Sequence, residues 1–324
     1  MTRAIRFTRT GGPEVLELSE ITIPELKAGD ALVRHRAIGV NFIDTYHRSG
    51  LYPLPLPSGL GSEAAGVVEQ VGPGVTCIRV GERVAYAGAG APASYSEARV
   101  VPADRLVPLP DDVSDDVAAA ALLKGMTAEF LIHRTFPVVQ GQTVLFHAAA
   151  GGVGLIACQW LNKLGARVIG TVGSDAKREL ALAHGCSDVI VLDGENFSTR
   201  VRELTNGQGV PVVFDSIGKS TFLNSLDCLE PRGMMVSFGN ASGKPEPFDL
   251  ALLAQKGSLY VTRPTLFSYV ATREALLSSA SSLFQAIRDG LAIEIGQRFP
   301  LADAQAAHRA LESRKTTGST LLEL

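Results

Sequence analysis

A glycine-rich segment at residues 147–154, with the sequence HAAAGGVG, is the part of the chain best suited to bind a phosphate group. It follows an apolar run at residues 143–147 and precedes a run with helical spacing at residues 153–164. Without side chains the backbone can approach a pyrophosphate, and a helix N-terminus adds N–H groups and a positive dipole. A plain tight turn would account for one glycine but not for three. The residues predicted to form this phosphate-binding turn are Ala150, Gly151, Gly152, Val153 and Gly154.

The phosphate-binding turn begins a series of alternating strands and helices. The predicted strands lie at residues 143–147, 167–172, 189–192, 211–215, 234–238 and 259–261, and the predicted helices at 153–164, 176–184, 198–205 and 220–228. This alternation implies a parallel sheet, whose strands, buried on both faces, read as continuous apolar runs. The sequence therefore predicts an α/β fold with a doubly wound Rossmann sheet that binds a dinucleotide at its first strand–helix junction.

The end of the second predicted strand bears on the choice of dinucleotide. NAD-binding proteins usually place an acidic residue there, whereas this chain has Gly173. Ser174, Lys177 and Arg178 can instead donate hydrogen bonds to a 2′-phosphate, which favours NADPH. Asp175 argues against this unless it serves to cap the next helix.

Composition argues against several other kinds of protein. The 324 residues, 46% apolar and 19% charged, are consistent with about two globular domains and not with disorder. A net charge of −3 gives no basic field, so we do not expect nucleic acid as a partner. We expect no signal peptide, since the first residues form no apolar run, and no membrane span, since a glycine-rich turn divides the uncharged stretch at residues 135–162. The cysteines are too scattered for a disulfide framework or a zinc ribbon: Cys77, Cys158, Cys186 and Cys228.

The first 110 residues are rich in predicted strands, punctuated by glycine and proline. A short helix is expected at residues 42–48, with Asn41 as its N-cap and Gly50 just beyond its end. A longer helix at residues 115–133 is expected to break near Gly125. The chain then ends with predicted helices at residues 273–289 and 303–314 and a strand at 319–322.

Eight segments spread over nearly the whole chain form a specific combination. They are GGPEVL at 11–16, AIGVNFIDTYHRSGLYP at 37–53, GSEAAGVVEQVG at 61–72, GERVAY at 81–86, LLKGMTAEFL at 122–131, HAAAGGVG at 147–154, SFGNASG at 237–243 and TRPTL at 262–266. In these segments the chain resembles the zinc-independent quinone oxidoreductases of the medium-chain dehydrogenase/reductase superfamily, the group that includes zeta-crystallin.

This resemblance implies a division of the chain into two domains. A β-rich, GroES-like catalytic domain would comprise residues 1–125 and 264–324, and a Rossmann domain that binds NADPH would comprise residues 126–263. The resemblance also implies a cytoplasmic homodimer that transfers hydride or electrons from NADPH to a quinone.

Three differences from zinc-containing relatives lead us to expect that this protein binds no zinc. Zinc-containing relatives have a cysteine where this chain has Asn41, a histidine where it has Ser62, and a lobe with four closely spaced cysteines that is missing here. Zinc needs a compact set of Cys, His or carboxylate ligands, so we expect no metal. Without a Lewis acid, the chemistry suits an acceptor that is already electrophilic, such as a quinone or a conjugated enone.

The resemblance places the catalytic side chains at Asn41, Asp44, Tyr46 and Tyr52. Asn41 is expected to contact the nicotinamide, while the two tyrosines flank or hydrogen-bond a planar acceptor and Asp44 orients a neighbour or holds a water. From the residue types alone, Asp44 could equally stabilise a helix start, Tyr46 could be a core residue, and Tyr52 could pack on the neighbouring prolines.

The resemblance also implies a set of cofactor contacts. These are Asn41, Thr127, Ala150, Gly151, Gly152, Val153, Gly154, Ser174, Lys177, Phe238, Gly239, Asn240, Arg263 and Arg314. Arg314 has an alternative role as a cation that complements a helix C-terminus. Leu192 stands where close relatives often have a tyrosine near the 2′-phosphate, which weakens the expected preference for NADPH. His147 is expected only to pack at a strand end.

Three functions remain open at this point. The first is an NADPH:quinone oxidoreductase, and the second is an NADPH-dependent reductase of enone or alkenal double bonds on the same fold. The third is an RNA-binding or structural role, as in relatives that serve as lens crystallins or contact AU-rich RNA, although the net charge gives RNA binding no support.

Overall fold

The structure, a computed structural model, describes residues 1–192 and 196–324. Its strands are β1 (Thr2–Phe7), β2 (Glu17–Ile21), β3 (Asp30–Val40), β4 (Ser58–Gly59), β5 (Glu63–Val71), β6 (Arg83–Ala87), β7 (Ala98–Pro102), β8 (Val107–Pro108), β9 (Thr143–Phe146), β10 (Arg167–Val172), β11 (Asp188–Val191), β12 (Val210–Asp215), β13 (Leu229–Ser237), β14 (Tyr260–Thr262), β15 (Ile295–Pro300) and β16 (Ser319–Glu323).

Ten α-helices lie within the described residues. They are α1 (Phe42–Ser49), α2 (Asp115–Phe130), α3 (Gly152–Lys163), α4 (Arg178–Ala183), α5 (Phe197–Leu204), α6 (Phe222–Asp227), α7 (Ala251–Gln255), α8 (Leu266–Tyr269), α9 (Arg273–Arg288) and α10 (Ala304–Glu312). None of these helices is both long and apolar enough to cross a membrane. The uncharged stretch noted above is divided between β9, the glycine-rich turn and α3.

The chain divides into two compact units. Unit 1 consists of Met1–Met126, Val270–Ile287 and Ile293–Leu324, and unit 2 consists of Thr127–Tyr269 and Arg288–Ala292. The chain therefore returns to unit 1 six residues later than the expected boundary at residue 264. The segment Arg288–Ala292 lies in unit 2, where the Gln159 amide both donates to the Ala292 carbonyl, at 3.0 Å, and accepts from its N–H, at 2.9 Å.

Unit 2 contains a six-stranded sheet in the order β11-β10-β9-β12-β13-β14, with every neighbouring pair parallel. Numbered along the chain within this sheet, the order is 3-2-1-4-5-6, which is that of a Rossmann fold. Its strands carry the buried apolar side chains that a sheet covered on both faces requires, among them Val144, Leu145, Ile169 and Val213. The predicted Rossmann sheet is confirmed.

Unit 1 contains a mostly antiparallel sheet in the order β15-β16-β3-β5-β6-β8, with β7 also paired to β3, and a smaller sheet in the order β2-β1-β4. Its core includes Ile5, Phe7, Ile38, Leu60 and Tyr86. The predicted β-rich character of this part of the chain is confirmed. The last strand, β16, lies between β15 and β3, so the end of the chain completes the sheet that β3 begins.

The helix predicted to break near Gly125 does not break there. α2 continues to Phe130 and is followed by a π-helical turn at Leu131–Thr135. Gly125 is explained by packing, because a Cβ at this position would come within 2.3 Å of a methyl group of Leu283 on α9.

Candidate active site

The strand order of unit 2 reverses between β9 and β12, and ligands of doubly wound sheets bind where the order reverses, at the carboxyl ends of the strands. His147 directly follows β9, and Asp215 is the last residue of β12. Both side chains are fully buried. The topology therefore marks this end of the sheet as the candidate nucleotide site.

The phosphate-binding turn, residues 147–154, connects β9 to α3. Gly151 is the N-cap of α3, so the predicted residues Gly152, Val153 and Gly154 form its first turn, where N–H groups lack partners within the helix. Ala148 adopts a positive φ of 53°. A Cβ at Gly154 would come within 2.3 Å of the Ala148 carbonyl oxygen. Glycine is thus required at 154 for the helix to start this close to the strand, as expected for a pyrophosphate-binding turn.

A buried polar network lies directly beneath this turn. The His147 ring contacts Thr171 Oγ1 through Nδ1 at 2.8 Å and Ser225 Oγ through Nε2 at 2.9 Å. Ser225 and Thr221 both donate to Asp215 Oδ2, at 3.1 Å and 2.7 Å. The network therefore links the ends of β9, β10 and β12 to α6.

The direction of these hydrogen bonds follows from Asp215, whose carboxylate can only accept. Ser225 uses its hydroxyl proton on Asp215, so it accepts from His147 Nε2, and His147 Nδ1 accepts from Thr171. Burial lowers the pKa of His147, which agrees with a neutral ring. The sequence predicts only a packing role for His147. Its polar partners were missed because they lie 24 and 78 residues away.

The end of β10 is open at Gly173, where an added Cβ would meet no atom within 4 Å. Lys177 is half-buried, and burial lowers its pKa. Arg178 donates to Asp175 at 2.8 Å and to the Val189 carbonyl at 2.7 Å. The sequence argument that Arg178 could serve a 2′-phosphate is therefore weakened, and Asp175 pairs with Arg178.

The predicted loop of Phe238, Gly239 and Asn240 follows β13. Arg263 NH1 donates to the carbonyls of Ser237 at 2.8 Å and Gly239 at 3.0 Å. In the amide orientation that satisfies both of its polar atoms, Asn240 accepts from Arg263 NH2 at 3.1 Å. The structure thus places Arg263 where it shapes this loop, and a direct contact with a nucleotide stays a prediction.

Three further positions singled out in the sequence lie outside the phosphate-binding turn and the loop at residues 238–240. Thr127 is buried at the beginning of unit 2. Leu192 follows β11, and its N–H donates to the Val172 carbonyl at 2.9 Å. Arg314 belongs to unit 1, is exposed, and adopts a positive φ of 59° just beyond α10.

In unit 1, α1 begins as predicted, with Asn41 in extended backbone conformation as its N-cap and Gly50 in the left-handed region as its C-cap. Asp44, the third residue of the helix, accepts from the Asn41 backbone N–H at 2.9 Å. A carboxylate at this position satisfies an N–H at the helix start and complements the helix dipole. Because Asp44 is fully buried, this contact is shielded from water.

The Asp44 carboxylate accepts two further hydrogen bonds. Ser62 Oγ donates to Oδ1 at 2.8 Å, and the Tyr95 hydroxyl donates to Oδ2 at 3.0 Å. Burial raises the pKa of Asp44 to about 6, although its donors act in the opposite direction. Asp44 thus joins Asn41 to Ser62, the two positions at which the sequence comparison with zinc-containing relatives indicated lost ligands.

A second buried carboxylate, Glu63, contacts Asn41 from the other side. Its Oε2 accepts from Asn41 Nδ2 at 2.8 Å and from Lys124 Nζ at 3.2 Å, and its Oε1 accepts from the Leu123 N–H at 2.6 Å. Sequence reasoning did not single out Glu63 or Lys124. The available signal was a charged residue within each of two otherwise apolar segments, SEAAGVV and LLKGM.

The two predicted tyrosines form a pair. The Tyr46 and Tyr52 rings are 5.2 Å apart in an edge-to-face arrangement, and the Tyr52 N–H donates to the Tyr46 carbonyl at 3.0 Å. Tyr46 is buried and Tyr52 is half-buried. Unit 1 therefore brings all four predicted catalytic residues together on and beside α1.

Within residues 1–192 and 196–324, no group of three or more His, Cys, Asp or Glu side chains is arranged to hold a metal ion. The expectation that the protein has no metal stays a prediction.

Comparisons with known proteins cover both units. The family model of zinc-binding dehydrogenases matches residues 152–279, and that of the alcohol dehydrogenase GroES-like domain matches residues 27–111. The chain is 54% identical to a quinone oxidoreductase of Pseudomonas aeruginosa, with 99% of each chain covered. It is 45% identical to a 2-haloacrylate reductase of a Burkholderia species, again with 99% of each chain covered.

A crystal structure of Escherichia coli quinone oxidoreductase complexed with NADPH is similar over 99% of this chain and 100% of that one. The TM-score is 0.98 and the sequence identity 49%. Sequence identity at this level over the full length, together with the same fold, shows that these proteins belong to one family. The chain therefore belongs to the quinone oxidoreductases of the medium-chain dehydrogenase/reductase superfamily.

Proposed function

We propose that this protein is an NADPH:quinone oxidoreductase that works without a metal. The observation that carries the proposal is the similarity over the full length to quinone oxidoreductases, one of them crystallised with NADPH. The site in unit 2 supports it, because the residues present fit a dinucleotide. The turn at Gly154 has no room for a side chain, and the strand end at Gly173 is open and free of an acidic side chain.

When bound, NADPH supplies the hydride that reduces the acceptor. For a quinone the balance is quinone plus NADPH plus a proton giving hydroquinone and NADP⁺. The phosphate-binding turn would bind the pyrophosphate through backbone N–H groups. Ser174 and Lys177 would bind the 2′-phosphate. Thr127, the loop of residues 238–240 with Arg263, and Arg314 would complete the cofactor contacts.

The predicted catalytic residues of unit 1 have separate tasks in this proposal. Asn41, fixed by Asp44 at its backbone and by Glu63 at its side chain, would orient the nicotinamide. Tyr46 and Tyr52 would hold a planar acceptor by ring contacts and hydroxyl hydrogen bonds. Asp44 would act through Asn41 and Ser62.

The test is a stopped-flow assay of NADPH oxidation across a panel of quinones and enones, with calorimetry of NADPH and NADH binding. We expect micromolar NADPH binding, weaker NADH binding, and turnover with quinones. Absence of binding by either nucleotide would overturn the proposal.

A second candidate function is reduction of an activated carbon–carbon double bond. The similarity to a 2-haloacrylate reductase at 45% identity favours it. If enones or haloacrylates turn over with a kcat/KM above that of every quinone tested, this second function replaces the first. An RNA-binding role would require an RNA complex that NADPH abolishes, together with no turnover on any acceptor.

We further propose that the protein is a cytoplasmic homodimer, on the strength of the family resemblance. Sedimentation velocity at micromolar concentration tests the assembly, since a mass near twice the 34.2 kDa of the chain is expected.

A further inference from the structure

A line of buried side chains in unit 1 leads from Asp44 to the C-terminus of α10. The Tyr95 hydroxyl, which donates to Asp44, is also 3.1 Å from His308 Nε2. The other ring nitrogen, His308 Nδ1, is 3.1 Å from Arg48 NH1. Arg48 in turn pairs with Glu312 through two hydrogen bonds of 2.6 and 3.0 Å. No role in the proposed reaction has been assigned to Tyr95, His308 or Arg48.

The direction of every hydrogen bond in this line is fixed at its Arg48 end. A guanidinium only donates, so His308 Nδ1 must be the acceptor. Burial, aided by Arg48, lowers the pKa of His308 to about 3, so its ring is neutral and carries its proton on Nε2. His308 therefore donates to the Tyr95 oxygen, and Tyr95 must use its own proton on Asp44.

This direction excludes a proton path. A path would need each member to pass a proton on and receive another, but the Arg48 guanidinium has no acceptor atom at which it could receive one. Tyr95 does not ionise readily either, since burial, with Asp44 nearby, raises its pKa well above the usual range. The line can therefore hold Asp44 in place but cannot supply it with protons.

We propose that Tyr95 is a positioning residue: with its hydroxyl fixed by His308 and Arg48, it holds the Asp44 carboxylate in the orientation that binds the Asn41 N–H and Ser62. This inference rests on the proposed function, in which Asn41 contacts the cofactor. The geometry supports it because Tyr95 and the Asn41 N–H share one oxygen, Asp44 Oδ2, while Ser62 uses the other.

Several charged or titratable groups surround Asp44. From α1 comes Arg48, from α10 His308, from α2 Lys124, and from β5 Glu63, which binds Asn41. The charge of Lys124 and the three hydrogen-bond donors to Asp44 favour the ionised form of this carboxylate, whereas burial favours the neutral form. Removal of one donor to the carboxylate should therefore raise the pKa of Asp44 further.

The chain offers a matched control for Tyr95. Tyr86 is also fully buried in unit 1, and its hydroxyl is 3.0 Å from Nε2 of another buried histidine, His35. Tyr86 does not contact Asp44, Asn41 or Ser62 through any hydrogen bond described. Tyr95→Phe and Tyr86→Phe thus remove the same hydroxyl from similar surroundings, and only the first removes a donor to Asp44.

The experiment is the pH profile of kcat/KM with NADPH and a quinone from pH 5 to 9, for the wild type and both variants. We expect an acid limb near pH 6 in the wild type and in Tyr86→Phe. In Tyr95→Phe the limb should move up by about one pH unit, since hydrogen bonds to a charged group are worth about this much. An unmoved limb in Tyr95→Phe, or an equal movement in Tyr86→Phe, would overturn the inference.

A measurement without substrate separates this inference from the proposed function. The free energy of unfolding in urea from pH 4 to 8 reports the Asp44 pKa in the same variants, and the same upward movement is expected in Tyr95→Phe alone. Wild-type protein without turnover but with this movement would overturn the proposed function and leave the positioning contact. Should Tyr95→Phe not fold, His308→Leu removes the donor to the Tyr95 hydroxyl, and a smaller upward movement is expected; no movement would count against the proposal.

Discussion

The Asp44 carboxylate accepts from a backbone N–H, a serine and a tyrosine while fully buried. The pKa of about 6 is the balance between burial, which favours the neutral acid, and three donors that favour the ion. A group of this kind makes protein stability depend on pH in a direction opposite to most carboxylates.

Asp44→Asn tests this dependence. The folded-state pKa of about 6 lies above the ordinary 3.8. As the pH rises, the unfolded chain therefore loses the Asp44 proton at a lower pH than the folded protein does. The stability contributed by this proton is fully present below pH 4 and is lost as the pH rises through 6. We expect the free energy of unfolding of the wild type, relative to that of Asp44→Asn, to fall by about 3 kcal/mol between pH 4 and 7. This figure corresponds to a pKa difference of about two units between the folded and unfolded states. Urea unfolding at several pH values measures it, and a constant difference would contradict the raised pKa.

Lys177→Ala tests the choice of nucleotide. Loss of a charged donor to the 2′-phosphate should raise the KM for NADPH about tenfold or more, with little change for NADH, since such bonds are worth about 1.5–3 kcal/mol. Lys256→Ala serves as the control, because Lys256 pairs with Asp227 in the same unit. Equal changes for the two nucleotides would rule out a phosphate contact.

Gly173→Asp tests the preference for NADPH over NADH by adding a carboxylate at the end of β10. An aspartate here has space, as no atom lies within 4 Å of the added Cβ. Its carboxylate would accept from ribose hydroxyls and repel a 2′-phosphate. We expect the ratio of kcat/KM for NADPH over NADH to fall by at least tenfold, while Gly173→Ala leaves it nearly unchanged. A ratio that Gly173→Asp does not alter would place the 2′-phosphate elsewhere.

At the scale of the elements, the phosphate-binding turn depends on one glycine, Gly154. A methyl group at Gly154 would overlap two backbone carbonyl oxygens, those of Ala148 and Ala149, at 2.3 and 2.7 Å. Neither oxygen can move without shifting β9 or the start of α3. The turn and the helix start must therefore change together.

Gly154→Ala should accordingly weaken NADPH binding by at least tenfold and destabilise the fold by about 1–3 kcal/mol. Calorimetry and urea unfolding measure the two effects. Gly173→Ala is the control for the loss of a glycine alone, since its methyl group meets no atom within 4 Å. Unchanged affinity in Gly154→Ala would show that the turn does not hold the nucleotide.

The sequence predicted elements better than contacts. α1, with Asn41 and Gly50 at its ends, and β5 carry local signals, namely capping residues and an apolar run bounded by glycines. The strand β15 was missed, because its residues alternate only between half-buried and exposed.

The site residues also divide into those predicted from a local pattern and those whose contacts could not be predicted. The phosphate-binding turn was predicted from its own residues, whereas Asn41 and Asp44 came from the family resemblance. The partners of Asp44 could not be predicted from spacing, since Tyr95 lies 51 residues beyond it and His308 a further 213. Only the folded sheet and α10 bring these groups together.

At the scale of the whole molecule, two units with separate cores carry separate groups of predicted site residues. In neither unit do the described residues form a cluster able to hold a metal. Asn41 and Ser62 are instead bound to Asp44 and, for Asn41, to Glu63.

We expect the protein to keep its full NADPH-dependent activity after extensive dialysis against a chelator, with no stoichiometric zinc by elemental analysis. The activity of the dialysed protein should also be unchanged when zinc is added back. Zinc present at one equivalent in active protein, or activity restored by zinc, would contradict the prediction.

The place of β16 between β15 and β3 has a consequence for how the chain matures in the cell. As the polypeptide emerges from the ribosome, Ile38–Val40 of β3 await a neighbour that is encoded some 280 codons later. At about 5–20 residues per second, this interval lasts roughly 14–56 s. The Rossmann sheet is synthesised within this interval, so a nascent chain stalled before residue 319 would carry all six strands of the parallel sheet while β3 still lacks one of its neighbours.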